Sequence, residues 1–298
     1  MTANFNISII GAGRLGGALA IALARKNYTV ENLAARNFET ARTIAELIHP
    51  KPKILSADDF SEITSNVILI TTQDSEIKNV AEQLAEQLKT KPLVFHTSGS
   101  LSSEVLQRLK FVGCQIGSIH PLVSISDVRL GASSFADAYF CVEGDAEAVV
   151  IAVEIIGKLG GKHFSVATEY KTLYHASAVT ACGHLVALID AAIEMLTKCG
   201  LDEKGSREIL LPLIKSTIGN LESQTTSEAL TGTFARADVE TLRRHLVVLQ
   251  TNVSPEALII YLELGARSLR LAEAQGASLV NLEKMSRQIL LAKKNLKC

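Results

Sequence analysis

His120 stands just past the apolar run Gln115-Ile116-Gly117-Ser118-Ile119 and is followed by Pro121 and Leu122. An imidazole titrates near neutrality, so a histidine delivered by a strand end can give or take a proton for a reacting group. The same ring can instead tie its loop to backbone carbonyls, and residue types alone leave both roles open. His96 repeats the arrangement behind Leu93-Val94-Phe95, with Thr97, Ser98 and Gly99 after it. Lys171 and His175 fall one helical turn apart in an apolar-periodic segment and share a face. Such a pair can bind an acidic substrate and relay a proton, or it can be a surface lysine beside a histidine in a subunit contact. His120, Lys171 and His175 are therefore the candidate catalytic residues. Arg236, Asp238, Arg243, Arg244 and His245 also cluster, but on a helix they read most simply as a solvated face or a subunit contact. Cys182 and His184 lack the further ligands of a metal site, so no metal is expected. Neither a nucleophile elbow nor a Walker loop occurs.

These side chains need a sheet edge to stand on. Ile7-Ser8-Ile9-Ile10 is a short β-branched run, Gly11-Ala12-Gly13-Arg14-Leu15-Gly16 is a Gly-x-Gly-x-x-Gly turn, and Gly17 to Ala24 has helical composition. A strand feeding a glycine-rich turn into a helix is the context of a dinucleotide-binding fingerprint. Gly11 permits the tight turn, Gly13 lets the backbone approach a pyrophosphate, and Gly16 lets helix and strand lie close. Tyr28 to Ala35 reads as the second strand and ends at Arg36, where NAD binders usually place an acid for the ribose hydroxyls. Arginine cannot accept those bonds but can pair with a 2′-phosphate and stack on adenine, which favours NADP, with NAD as the alternative. A surface arginine at a strand end is the plainer reading.

Further strands are expected at Lys53-Ile54-Leu55, Asn66 to Thr72, Leu93 to Phe95, Gln115 to Ile119, Tyr139 to Val142 and Lys162 to Val166. In doubly wound sheets ligands sit beyond the carboxyl ends of the strands, so Thr71, Thr72 and Gln73, with His96 and Ser98, should border the cofactor. Asp74 or Ser75 can equally serve as a helix cap. Beyond Val166 strand signals stop. Apolar-periodic segments follow at Tyr170–Lys198, Ser206–Leu221, Val239–Leu249, Pro255–Ala274 and Leu279–Leu296. The expected architecture is α/β: a doubly wound Rossmann sheet over residues 1–166, then an all-α domain over 167–298. The first helix of the second domain is too apolar all round for a surface helix, which predicts burial in protein and a homodimer through the helical domain.

The 298 residues allow a proper core, with 47% hydrophobic and 20% charged side chains. A formal net charge of -1 leaves no basic excess for a nucleic-acid partner. Cys114, Cys141, Cys182, Cys199 and Cys298 are widely spaced and odd in number, which fits a reducing compartment. His175, His184, Asp190 and Glu194 interrupt the apolar stretch Leu173–Leu196, so no membrane span is expected. The first strand starts almost at once after Met1, without room for a signal peptide, and the expected location is the cytoplasm.

Together the glycine turn, His96-Thr97-Ser98-Gly99, Ser118-Ile119-His120-Pro121-Leu122, Tyr174-His175-Ala176, Ala229-Leu230-Thr231-Gly232 and Arg236-Ala237-Asp238 resemble a two-domain family. That family joins a Rossmann-like domain to a C-terminal domain of unknown function, DUF2520. The resemblance implies the 6-phosphogluconate dehydrogenase-like superfamily, whose members include pyrroline-5-carboxylate reductase, β-hydroxyacid dehydrogenases and prephenate dehydrogenase. Such enzymes bind NAD(P) in the first domain and usually dimerise through the helical one. The His-Pro-Leu stretch is similar to the His-Pro motif of prephenate dehydrogenases, whose histidine contacts the reacting hydroxyl. Lys171 falls roughly where β-hydroxyacid dehydrogenases carry a catalytic lysine. Relatives often have an asparagine near Gly183, where this chain reads Ala181-Cys182-Gly183-His184, and often Arg-Gly-Asp where it has Arg236-Ala237-Asp238. The resulting expectation is an NADP-dependent oxidoreductase acting on a small, carboxylate-bearing substrate. The alternative is a non-catalytic dimer that holds NADP as a sensor or structural ligand, and convergence of His120, Lys171 and His175 is what separates the two.

Overall fold

The computed structural model describes residues 5–296; Cys298 of the cysteine set lies outside them. Strands β1 (Asn6–Ile10), β2 (Thr29–Ala35), β3 (Lys53–Ser56), β4 (Val67–Ile70), β5 (Leu93–His96), β6 (Gln115–Pro121), β7 (Tyr139–Gly144) and β8 (Lys162–Phe164) form one sheet. Its order is β3-β2-β1-β4-β5-β6-β7-β8. Pairing is parallel from β3 through β6, antiparallel between β6 and β7, and parallel again to β8. The chain order reverses between β1 and β4, the switch point beside which doubly wound sheets bind ligands. The strands expected from β-branching are all present. The antiparallel turn of β7 is a feature that period and branching do not report.

The helices of this part are α1 (Arg14–Arg25), α2 (Phe38–Ala45), α3 (Asp74–Gln87), α4 (Gln107–Phe111), α5 (Val128–Gly131) and α6 (Ala146–Leu159). They cover both faces of the sheet, and the strands sort their side chains by the two-residue period. Ile7, Ile9, Val67, Leu69 and Phe95 join one core with α1 and α6. Ile10, Ile68, Ile70 and Val94 point the other way, into a core with α3 and α4. Each such side chain, fully withdrawn from water, contributes about 1.5–3 kcal/mol, which makes the sheet a rigid platform for what its edge carries.

The chain forms two compact units, one up to Cys182 and one from Gly183. The division falls inside α7 (Lys171–Lys198), whose first turns belong to the sheet unit. The second unit contains α8 (Glu203–Ser223), α9 (Gly232–Ala235), α10 (Val239–Asn252), α11 (Pro255–Ala274) and α12 (Leu279–Asn295). Leu242, Leu246 and Leu249 of α10 lie on one helix face and pack with Leu258, Leu262, Met285 and Ile289. Asp202, Asp238 and Ser254 cap α8, α10 and α11 by accepting from the N–H groups of Gly205, Thr241 and Ala257. Ala237 is buried with φ +48. That left-handed backbone is the one glycine adopts without a Cβ penalty.

One expectation is not met within the chain. Helix α7 was expected to be buried in protein, yet among its residues only Lys171 and Ala191 are buried. Leu173, Val179, Val186 and Leu188 are exposed. Its apolar residues run around the helix instead of forming one stripe, so no single neighbouring layer can cover them. Thr168–Lys198 is the one stretch of the described residues long and apolar enough to cross a membrane by length and composition.

Candidate active site and cofactor pocket

The glycine turn is held by its neighbours. Gly11 has φ +106, and a Cβ there would stand 2.9 Å from the Thr71 carbonyl carbon and the Thr72 nitrogen. On Gly16 a Cβ would collide with the Gly11 carbonyl oxygen and Thr71 Oγ1. Thr71 closes this contact by donating its hydroxyl to the Gly11 carbonyl at 2.6 Å, while its N–H donates to Ile10 at 2.8 Å. The residue that follows β4 therefore pins the turn that follows β1. Gly13 differs from the other two, because a Cβ on it would meet no protein atom within 4 Å.

A cavity of about 340 Å³ opens beyond these strand ends. Gly11, Ala12, Gly13, Arg36, Thr71, Thr72 and Gln73 line it, all expected from the sequence, together with Asn37, Thr40 and Asp58, which were not. Arg14 is exposed at the start of α1, Leu15 packs against the core, and Gly16 is buried; none of the three lines the cavity. The set fits a dinucleotide on two counts. The space at Gly13 admits a phosphate to the first turn of α1, where free N–H groups point outward. Thr72 Oγ1 is buried with no hydrogen-bond partner of its own, a hydroxyl left for a ligand to satisfy.

The second half of the site is built on β6. Ser118 and His120 are two apart on the strand and so face the same way. His120 is half-buried, and its Nδ1 lies 2.6 Å from the Tyr174 hydroxyl. The His175 ring meets the His120 ring edge-on at 5.6 Å between centroids. Both imidazoles crowd Gly99: a Cβ there would be 2.7 Å from His120 Nε2 and 2.5 Å from His175 Cδ2. Burial, reinforced by His175 and Lys171, pulls the His120 pKa down to about 4. The ring is therefore neutral at physiological pH.

Lys171 is held by a counter-charge beside these rings. Its side chain is 1% exposed and its ammonium donates to Glu143 Oε1 at 2.6 Å and Ser118 Oγ at 2.5 Å. The antiparallel register sets Glu143 directly opposite Ser118, which is why the carboxylate is there. Ser103 completes the cage, with its N–H at 2.8 Å and its hydroxyl at 2.7 Å from the Glu143 carboxylate. Burial lowers the Lys171 pKa and Glu143 opposes it. Breaking a pair of this kind strands a charge in low dielectric at a cost of about 3–5 kcal/mol, so the ammonium is not free to swing to a ligand. The pair instead fastens the first turn of α7, and Tyr174 and His175, one turn on, are carried to His120.

His96 is fully buried, its Nδ1 accepting from the Ser98 N–H at 3.1 Å, and burial holds its pKa at about 4. Ser98 and Ser100 each donate a hydroxyl to Asp74 Oδ2, at 2.8 and 2.7 Å. Neither His96 nor Ser98 lines the cavity at the glycine turn. Asp74 is not the helix cap; Gln73 holds that position, and the Asp74 carboxylate ties α3 to the loop after β5. The structure thus brings His120 and His175 together and holds the Lys171 ammonium beside them on Ser118 and Glu143. Neither Tyr174 nor Glu143 is among the candidate site residues read from the sequence. Tyr174 sits within the Tyr174-His175-Ala176 motif and three residues after Lys171, a signal on the same helix face; Glu143 needed the β7 register.

A Rossmann-like sheet unit followed by helical segments is the architecture of this chain, and it shares that fold with a pyrroline-5-carboxylate reductase of Coxiella burnetii at 17% identity and a TM-score of 0.57. Residues 1–121 match the Rossmann-like domain family, and residues 138–268 match the domain of unknown function DUF2520. The chain thus carries a Rossmann-like domain followed by a DUF2520 domain. Among solved structures it is similar to a Bacteroides fragilis protein provisionally assigned as an NADP oxidoreductase, with 23% identity over 90% of this chain and 98% of that one and a TM-score of 0.74. Protein TM1727 of Thermotoga maritima is 25% identical over 90% of this chain and 99% of its own, with a TM-score of 0.68. The 1-pyrroline-5-carboxylate reductase of Streptococcus pyogenes is 17% identical over 96% of this chain and 100% of its own, with a TM-score of 0.62. No curated protein matches the chain.

Proposed function

We propose that the sheet unit binds NADP and that the protein is an NADP-dependent oxidoreductase of a small carbonyl or imine compound. The observation that carries this reading is the edge-on meeting of His175 with the neutral His120 ring, at the same sheet edge that carries the glycine turn. A half-buried neutral imidazole beside a second one is suited to proton transfer to or from a bound substrate. NADPH, when bound, supplies the hydride; the chain supplies the rest. Gly13 and the first turn of α1 receive the pyrophosphate, and Arg36 pairs with the 2′-phosphate. His120 meets the substrate oxygen or nitrogen and serves in the accompanying proton transfer. In this reading the substrate also carries a carboxylate, as the family resemblance implies, and His175 is its polar contact because the Lys171 ammonium is spent on Glu143 and Ser118.

The cofactor half is tested at Gly13. A Gly13→Ala side chain touches no protein atom, so the variant is expected to melt within a degree or two of wild type. Its NADPH dissociation constant is expected to rise at least tenfold, because the methyl group occupies the path of the phosphate. Unchanged affinity in a folded Gly13→Ala protein would remove the pyrophosphate from this turn.

The reading includes a homodimer, supported by the exposed Leu173, Val179, Val186 and Leu188 of α7, apolar surface of the kind that subunit contacts cover. Light scattering at micromolar concentration is expected to return twice the chain mass, and a monomer would count against it.

A further inference from the structure

We infer that Tyr174 is a positioning residue: its phenol donates to His120 Nδ1 and thereby fixes the imidazole as the Nε2–H tautomer, a hydrogen-bond donor toward Gly99 and His175. The geometry for this is the 2.6 Å contact between the Tyr174 hydroxyl and Nδ1. That length is short for an N–H donor, whose bonds to oxygen cluster at about 2.9–3.0 Å, and belongs to the range of O–H donors. Chemistry points the same way. A phenol is the stronger acid of the two groups, and the bare ring nitrogen of a neutral imidazole is a better acceptor than a phenol oxygen whose lone pair is shared with its ring. Among the described residues Nδ1 is also the only partner of the Tyr174 hydroxyl.

The surroundings keep both groups in these states. Burial holds His120 neutral and pushes the Tyr174 phenol well above the usual tyrosine value, so neither the imidazolium nor the phenolate competes near neutrality. The Tyr174 ring is wedged edge-on between His120 and Phe164, each at 5.6 Å between centroids. Its helix turn is fastened by Lys171 on Glu143 and Ser118. Charged groups facing His120 are Lys171 and Asp74, with His175 as the titratable neighbour.

The consequence deepens the proposed function and rests on it: the resting site presents a donor to its substrate. It is preset to polarise a carbonyl oxygen or imine nitrogen, the species that is reduced, in preference to accepting a proton from an alcohol that is oxidised. A neutral histidine that donates while a second group fixes its tautomer is an established way to polarise a carbonyl without a charged acid.

The experiment needs neither cofactor nor substrate, so it stands apart from the fate of the NADP reading. Full-length protein is labelled with 15N-histidine, and the His120 signals are assigned by their loss in His120→Gln. At neutral pH, wild type is expected to show Nε2 at the shift of a protonated ring nitrogen and Nδ1 at that of an unprotonated, hydrogen-bonded one. In Tyr174→Phe both signals are expected to move toward the average of two exchanging tautomers. A protonated Nδ1 in wild type overturns the inference, and wild type alone decides this if the variant does not fold. Signals that stay put in a folded Tyr174→Phe protein overturn it as well.

Discussion

Replacing His120 with glutamine is expected to lower kcat by about a hundredfold to ten-thousandfold, the usual range for a positioned proton donor or acceptor. NADPH affinity is expected to stay within a few-fold of wild type, because His120 does not line the cavity at the glycine turn. The measurement is steady-state reduction of a keto or imino acid that wild type turns over, with cofactor binding measured separately on the same preparations. Glutamine keeps a donor near the position of Nε2 but loses the ring that Tyr174 orients. Its effect therefore reports the loss of an aligned group and not of bulk. The profile of kcat/KM for wild type should show no His120 titration through neutrality. Burial disfavours the imidazolium and lowers that pKa to about 4, so the ring's transition falls well to the acid side. A turnover equal to wild type in folded His120→Gln would leave the chemistry without its principal group.

Arg36→Asp is expected to raise the NADPH dissociation constant by about tenfold to a hundredfold, since a hydrogen-bonded pair with a charged group contributes about 1.5–3 kcal/mol. NADH, which lacks the 2′-phosphate, is expected to change only a few-fold. Arg36 is exposed at the end of β2 and lines the cavity beside Asn37 and Thr40, so the substitution disturbs no core contact. Aspartate at this place also offers an acceptor to the ribose hydroxyls, the arrangement of NAD binders, which works to spare NADH. An equal loss for both nucleotides would separate Arg36 from the 2′-phosphate. Salt is a useful second axis, because an exposed charge pair weakens as ionic strength rises.

How much of this was legible in the sequence depended on the range of the interactions involved. The glycine turn was readable because strand, turn and helix are contiguous, and the steric reasons for Gly11 and Gly16 lie in that same stretch and the neighbouring strand. His120 and His175 were readable as residue types at strand and helix ends. Their meeting depends on the sheet edge and the first turn of α7 coming together, which no local pattern encodes. The spacing of Lys171 and His175 gives a shared helix face but not the counter-charge that holds Lys171. Sharing a helix face with His175 suggested a shared cleft, but a buried lysine goes where its counter-charge is. Glu143 is brought opposite Ser118 only by the antiparallel pairing of β6 and β7, and no local period encodes that pairing. Helix α7 shows the same limit from the other side. Its all-round apolar composition is plain in the sequence, whereas its exposure in the folded chain is not a property of the local pattern.

Titration of the purified wild-type protein with NADPH, and with NADH in parallel, tests the central claim most directly. The chain contains no tryptophan, so the nicotinamide fluorescence of the reduced cofactor can be followed without indole overlap. The account predicts saturable NADPH binding, with NADH at least tenfold weaker. Binding of neither nucleotide would contradict it, leaving a Rossmann-like sheet whose ligand is something else.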